Sequence, residues 1–469
     1  MITRLWAKHR YFSKCLFFIA LLTSLFISCK KTNNVTTDKG VRLRFSADSM
    51  LFDTIFTGIS SVTKRLKVFN NANQAIRISK INLEGKSNSF TLNINGKALN
   101  TDTDIELKAK DSLYIFVKAL INSTSAILPF IVSDSISFLT NDHRQIIHLE
   151  AYGQNANVIK DSELKENTIW TNTLPYIIYN SITVGENSIL TIEKGAQIYF
   201  HKDSRMLVAG TLVVNGELNN PVNFGNDRRE TLYQDEPGQW QGIEFQKSSK
   251  NNKMNYCILK NALFGLQVNS LSNGAIPDLI LTNSIVKNMQ SSALILNNTS
   301  VAAFNNLIYN CGQYLIYAAA GGDYEFKQNT FVAFNYNFLR YNPALSFSTY
   351  DLFKPSSTAN PLKLNLTNNI IWGSFDSELL IDQKNINLTS VAINNNLVKD
   401  KSGFVINDSN LQNIDPSFVN SKKEDYRLSA GSPAKLKGAN LSTDHYFNSY
   451  LSKTLDGNAR TFPSNLGCF

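Results

Sequence analysis

Four carboxylates and one histidine are where chemistry would be sought in the second half of this chain. Asp323, Glu325, Asp376 and Glu378 are among the acidic residues in its most aromatic stretch. Hydrolysis of a glycosidic bond needs two carboxyl groups that converge on it, one as acid and one as base or nucleophile. His201 is the only histidine between 182 and 430, and no Ser or Asp near it in sequence completes a recognisable triad. What does cluster is aromatic. Tyr309, Tyr314, Tyr317, Tyr324, Tyr336, Tyr341, Tyr350 and Trp372 fall close together, with Arg340 among them. Exposed flat rings stack on sugars, and an arginine can hydrogen-bond a carboxylate or hydroxyl. Tyr336, Arg340, Tyr341, Tyr350, Trp372 and Glu378 are therefore the ligand-binding candidates. The competing use of such rings is a core column.

The elements that must position these residues are written in a repeat. Asn, any residue and two mostly apolar residues recur at Asn255, Asn283, Asn305, Asn329, Asn368 and Asn395, spaced by 28, 22, 24, 39 and 27 residues. Repeats of this length signal a solenoid. Short strands such as Ile189-Leu-Thr-Ile192 and Thr211-Leu-Val-Val214 alternate with brief turns, as a coil of three strands per turn requires. A tight bend needs a left-handed residue, and Asn tolerates that conformation. Stacked amides would then form a ladder. Cys257, Ile285, Leu307, Phe331, Ile370 and Leu397 are expected to point inward as a core column. Gly185, Gly195, Gly210 and Gly216 are expected at corners with positive φ. At about 4.8 Å per coil, roughly ten coils give a rod near 50 Å long. The interval from Asn329 to Asn368 implies an insertion or an extra coil near Pro343 to Pro361. No column of acids emerges at equivalent offsets from the repeated Asn.

The phrases Ile189-Leu-Thr-Ile-Glu-Lys-Gly195, Leu207-Val-Ala-Gly-Thr-Leu-Val-Val-Asn-Gly216 and Gln239-Trp-Gln-Gly-Ile-Glu-Phe245 resemble right-handed parallel β-helix proteins. Asp415-Pro-Ser-Phe-Val419 and Gly431-Ser-Pro-Ala434 resemble their usual C-terminal end. That resemblance implies fold and is nearly silent on activity. Enzymes of this fold are polysaccharide lyases and glycosidases, but the Asp-Asp and His-Gly signatures of the latter are absent.

Upstream, residues 41–153 alternate with period two and read as about seven short strands of a β-sandwich. Val68-Phe-Asn-Asn, Ile76-Arg-Ile and Leu149-Glu-Ala-Tyr-Gly153 resemble Hydin-type immunoglobulin-like domains. The expected class is thus all-β: an Ig-like sandwich (41–153), a polar connector (154–181), a parallel β-helix (182–430) and a C-terminal cap segment (431–469). Asp48-Ser49, Asp53-Thr54, Asp111-Ser112 and Asp134-Ser135, each followed by an apolar residue, resemble a bacterial O-glycosylation signal. Ser49, Thr54, Ser112 and Ser135 are then the acceptors. The alternative is that Asp-Ser pairs simply begin strands.

Residues 1–28 carry a basic start and an apolar run too short for a confident membrane span, so they read as a signal peptide. Phe26-Ile27-Ser28-Cys29 resembles the lipobox of bacterial lipoproteins, which implies acylation of Cys29 and a polar tether over 29–40. The expected partner is a lipid bilayer, held through acylated Cys29. The expected address is the cell envelope, at the outer membrane, on either face. Formal charge is +9, and without Arg4, Lys8, Arg10 and Lys14 the basic excess falls to five. With no Lys/Arg cluster, nucleic acid is not expected as a partner. Cys257, Cys311 and Cys468 form no CxxC or Cys/His set, so no metal site or cofactor is expected. The leading functional expectation is non-catalytic binding of a polysaccharide or surface partner. A lyase or glycosidase with its site near 323–378, and a structural adhesin rod, are the alternatives.

Overall fold

Alternating apolar and polar residues give strands with one buried and one solvated face, and the N-terminal half is built that way. The computed structural model describes residues 34–469 apart from 86–87, 270–274, 355, 357, 385–388 and 404–407. The leader, Cys29 and the start of the tether lie outside the described residues. The chain divides into two units, residues 1–123 with 130–153, and 124–129 with 154–469.

In the first unit a four-stranded antiparallel sheet and a five-stranded one share a core of Leu66, Ile78, Phe90, Ile115 and Phe138. This is the Ig-like sandwich, with nine strands among its described residues where the sequence suggests about seven. Phe130–Thr140 and His143–Gln154 form its long hairpin, turned by Asn141 and Asp142, both left-handed at φ 49° and 62°. The tether ends sooner than expected. Val35 bridges Ala75, and the Thr36 amide donates to the Ala75 carbonyl at 2.8 Å. A strand edge with open carbonyls accepts such an extension readily.

In the second unit, 25 strands among the described residues stack in one continuous parallel array. Register resolves them into three faces. The first face contains Leu279–Thr282 and the second Ile285–Met289, which stacks on Leu307–Cys311. The third contains Leu345–Ser348. Coiling begins before residue 182. Asn157–Leu164 already pairs in parallel with Tyr176–Val184, so the expected connector is the first coil. Its alternation of polar and apolar residues suits an end strand with one solvated side.

The inner column differs from the expected one. Cys257 and Phe331 do face the core, with Val286, Ile308, Ile371 and Val398. Ile285, Leu307, Ile370 and Leu397 point outward, because they stand one residue from those inward positions and a one-residue step reverses the face. They are nonetheless covered. Residues 426–469 run back along this outer face rather than across the end of the stack. Tyr426, Leu455 and Cys468 pack on Leu307, and Ala434 and Leu466 pack on Ile370 and Leu397.

The long interval contains no extra coil. Thr330 pairs directly with Ile370, so Asn329 and Asn369 belong to adjacent coils. Two excursions, on either side of Leu345–Ser348, take up the added length. Of the four corner glycines only Gly195 has positive φ, at 77°. Gly210 and Gly216 are needed for close approach instead. A Cβ at Gly210 would lie 2.2 Å from the Gly185 and Ser188 carbonyls, and one at Gly216 2.0 Å from that of Tyr256.

Candidate functional site

The repeated Asn side chains separate into two columns. The buried column is Ser284, Asn306, Asn329, Asn369, Asn396 and Asn410. The Asn329 amide donates to Asn369 Oδ1 at 2.9 Å and its Nδ2 to the same oxygen at 3.0 Å. Asn306 does the same to Asn329, Asn369 to Asn396, and Asn396 to Asn410. The left-handed corner one residue earlier is Asn283, Asn305, Gln328, Asn368 and Asn395, with φ between 50° and 60°. Asn329 is thus a ladder residue, and Gln328 takes the bend in that coil. Tyr256, not Asn255, takes it in the first. These side chains hold structure. Asn368 exchanges hydrogen bonds with Ala439, and Arg460 donates to Asn305 Oδ1 at 2.6 Å and Gln328 Oε1 at 2.8 Å.

The aromatic cluster is not gathered into a binding face. Arg340 and Glu378 are 2% and 0% exposed. Arg340 Nη2 meets both Glu378 oxygens at 2.8 and 3.0 Å and the Ala333 carbonyl at 2.7 Å. Glu378 also accepts the Ala344 and Phe375 amides at 2.8 Å. This pair fastens the 334–344 excursion and offers nothing to a ligand. Trp372 is buried under the C-terminal segment with Leu466. Tyr350 donates to Asp382 at 2.8 Å. Tyr336, stacked on Phe334, and Tyr341 are exposed. The cavity beside Tyr336 is only about 40 Å³. Nor do the acids converge. Asp323 pairs with Lys363, Glu325 with Lys327 and Asp376 with Lys401.

The Asp-Ser and Asp-Thr pairs lie on the sandwich. Ser49 is exposed, while Thr54, Ser112 and Ser135 are half-buried. Asp111 and Asp134 each accept the amide of the following serine at 2.7 Å. The three described thiols, Cys257, Cys311 and Cys468, are free and buried, and burial pushes each up to about 12. Among the described residues no three His, Cys, Asp or Glu side chains are grouped to hold a metal. None of their helices is long and apolar enough to cross a membrane.

A different part of the second face forms a cleft of about 370 Å³. It lies over Gln197–Phe200, Val222–Asn226 and Cys257–Lys260, beneath residues 227–239. Outward positions in register there are Tyr199, Gly225 and Lys260. Gly225 leaves a gap in the column, since a Cβ there would meet only Lys260 Cγ at 3.8 Å. The covering loop is pinned. Asn226 donates to the Arg228 and Tyr233 carbonyls at 3.0 and 3.1 Å, and Asn261 to that of Gln234 at 2.9 Å. Lys260 and Lys287 pair with Asp235 at 3.3 and 3.4 Å. Burial alone would raise the Asp235 carboxyl, but the two lysines outweigh it and hold it low.

Within the cleft, Arg228 is taken by Glu230 at 3.0 Å and lies 3.9 Å over Tyr233. Arg229 is exposed, stands 4.7 Å over the Tyr199 ring and pairs with no carboxylate among the described residues. Tyr199 donates to Gln197 Oε1 at 3.1 Å. Just outside, His201 Nδ1 meets Asp227 Oδ2 at 2.7 Å, and Tyr179 stacks on the imidazole at 4.4 Å. Burial raises the Asp227 carboxyl, against the opposing pull of His201 and Arg228. His201 therefore has the Asp partner that its sequence neighbours do not supply. The two are 26 residues apart, one coil in this stack. The pairing follows from register, since Phe200 stands opposite Asn226 on the next coil and His201 and Asp227 come next on each.

The family model for the right handed beta helix region matches residues 145–331. No curated protein matches the chain. Among solved structures, a family 123 glycoside hydrolase from Clostridium perfringens is similar at 7% identity and TM-score 0.19, over 26% of this chain and 30% of that one. A protein of unknown function from Porphyromonas gingivalis is similar at 9% identity and TM-score 0.19, over 26% and 59%. The PapD-like domain 7 of human CEP192 is similar at 11% identity and TM-score 0.18, over 25% and 88%. The chain thus spans less than a third of the hydrolase it resembles. The family match and the three-faced parallel topology agree on one statement: this chain carries a right-handed parallel β-helix.

Proposed function

We propose that the protein binds an acidic polysaccharide in the cleft on the second face of its β-helix, around Tyr199, Arg229 and Lys260. The carrying observation is Arg229, an exposed guanidinium with no carboxylate partner among the described residues, laid over an aromatic ring above a gap in the coil surface. A planar cation beside a ring fits a sugar bearing a carboxylate or sulfate. The fold is consistent with this use, because stacked coils present the same outward positions at a repeating spacing. Acylation of Cys29 would hold the protein at the bacterial envelope, with a Hydin-type Ig-like domain between the lipid and the coil.

The test is retention of the full chain on immobilised polyuronate, sulfated polysaccharide and neutral dextran. Retention on the acidic polymers is expected to fall about tenfold in Arg229→Ala, the loss of one charge-assisted contact. It is also expected to weaken with salt. Unchanged retention in that variant sinks the placement of the site. Membrane release of Cys29→Ser checks the anchor.

A further inference from the structure

We propose that the outer face of the four-stranded sheet in the first unit docks on an anionic bilayer surface, through cations interleaved with aromatic rings. Register gathers there what the sequence disperses. Arg44 stands opposite Phe69, Lys67 opposite Tyr114 and Arg65 opposite Phe116. Lys118 stands opposite Thr91 on the edge strand. These side chains share one face, because the residues between them, Leu66, Val68, Ile115 and Val117, fill the core. Lys67 Nζ lies 5.0 Å from the Phe69 ring centre and 5.2 Å from that of Tyr114. Arg65 lies 5.3 Å over Tyr114 and Arg44 5.8 Å over Phe69. Such rings hold a cation in place without neutralising it. None of Arg44, Arg65, Lys67 and Lys118 pairs with a carboxylate among the described residues.

Charge separates the two sheets of the sandwich. The strands Arg44–Phe45, Lys64–Phe69, Phe90–Ile94 and Ser112–Ala119 contain five Arg or Lys and no Asp or Glu. The five-stranded sheet contains six carboxylates against three Arg or Lys, with Asp102, Asp104 and Glu106 on one strand. One side of the domain therefore attracts an extended anionic surface and the other repels it. Lys and Arg heads reach lipid phosphates, and aromatic rings rest at headgroup depth. Beside Lys118 a hollow of about 620 Å³, lined in part by Leu99 and Phe116, sets an apolar floor next to a cation. That pairing matches a phosphate carried on a greasy stem. Position favours the same partner. Cys29 stands six residues before Val35, which bridges Ala75, and six residues reach at most about 20 Å. Acylation of Cys29, as in the reading above, would keep the domain beside the bilayer, where even a weak contact is made at high effective concentration. The contact itself needs no acyl chain.

The experiment sediments the full chain with vesicles of phosphatidylcholine alone and of phosphatidylcholine mixed with phosphatidylglycerol. Wild type is expected to prefer the anionic vesicles, less so as salt rises. Arg65→Gln with Lys67→Gln is expected to lose roughly tenfold or more of that preference. Arg77→Gln with Lys80→Gln removes the same charge from the opposite sheet and is expected to keep it. Anionic vesicles are also expected to protect Lys67 and Lys118, but not the exposed Lys80, from a water-soluble acetylating reagent. Cys29→Ser is expected to retain both the preference and the protection. Equal losses in the two double variants would mean net charge and overturn the face. Loss of the preference in Cys29→Ser overturns it too and leaves the anchor standing, whereas an unchanged preference with no membrane release removes the anchor alone. Protection of the two lysines by polyuronate or single-stranded DNA, with none from vesicles, would overturn the bilayer as the occupant.

Discussion

At the scale of single residues, an asparagine means different things one position apart. The Asn329 and Asn369 amides are buried and every donor is used, including Nδ2 of Asn369 to the Phe326 carbonyl at 2.8 Å. Asn369→Ala removes the acceptor for two donors of Asn329. Leaving buried donors unmet costs about 1–3 kcal/mol each. The expected loss is about 3 kcal/mol in urea unfolding, against under about 1 kcal/mol for Asn255→Ala. Equal losses would contradict the two-column description. Arg340 makes the companion case. Arg340→Ala strands Glu378 among buried atoms and is expected to lose about 3–5 kcal/mol. Arg340→Met with Glu378→Gln removes both charges and keeps an acceptor for the Ala344 or Phe375 amide, so it is expected to recover part of the loss, which calorimetry would show. A ligand site would not behave so.

The residue scale also shows what was legible. Left-handed corners at Asn283, Asn305, Asn368 and Asn395 could be read because few residues accept that backbone. The slip at Asn255 and Asn329 could not, because a four-residue motif is satisfied equally well one or two places along. The inward residue stands three places after a left-handed corner, so counting two from Asn283, Asn305, Asn368 and Asn395 lands on the outer face, whereas the shifted Asn255 and Asn329 lead to Cys257 and Phe331 in the core. His201 and Asp227 were each visible, but their pairing depends on a coil length that varies from 22 to 39 residues along this chain.

At the scale of elements, the loop over the cleft is held by charge as well as by the Asn226 and Asn261 side chains. Asp235 titrates below its unfolded value, so its stabilising effect is present above about pH 3.9. That effect is lost as pH falls through the folded value. Wild type and Asp235→Asn are therefore expected to differ in thermal midpoint at neutral pH and to converge in acid. A difference that persisted in acid would mean that the two lysines are not its source. The loop escaped sequence reading for a plain reason. Excursions from a coil carry no repeat, and only the one after Asn329 announced itself through an irregular interval.

At the scale of the whole second unit, the C-terminal segment is a lateral cover. Its expected role as an end cap rested on position in the chain, and no periodicity in 431–469 records which face it lies on. Cys468 donates its amide to Thr330 Oγ1 at 3.1 Å, and the Gly467 amide reaches the Asn368 carbonyl at 2.7 Å. Each outward Leu or Ile it covers contributes about 1.5–3 kcal/mol. Removal of residues 438–469 is expected to expose Leu307, Ile370 and Leu397. The readouts are increased binding of a hydrophobic dye and concentration-dependent association. Unaltered dye binding would mean that the cover adds little.

Solenoids ordinarily fold through neighbours, each coil touching only the one before and the one after. The contact between Cys468 and Thr330 spans 138 residues of chain. During synthesis the middle coils can stack while their outer wall is still bare, and residues 426–469 close it later. The slow event in folding should then be arrival of this tail, not growth of the coil. A nascent chain halted short of residues 426–469 would be the form that chaperones and proteases meet.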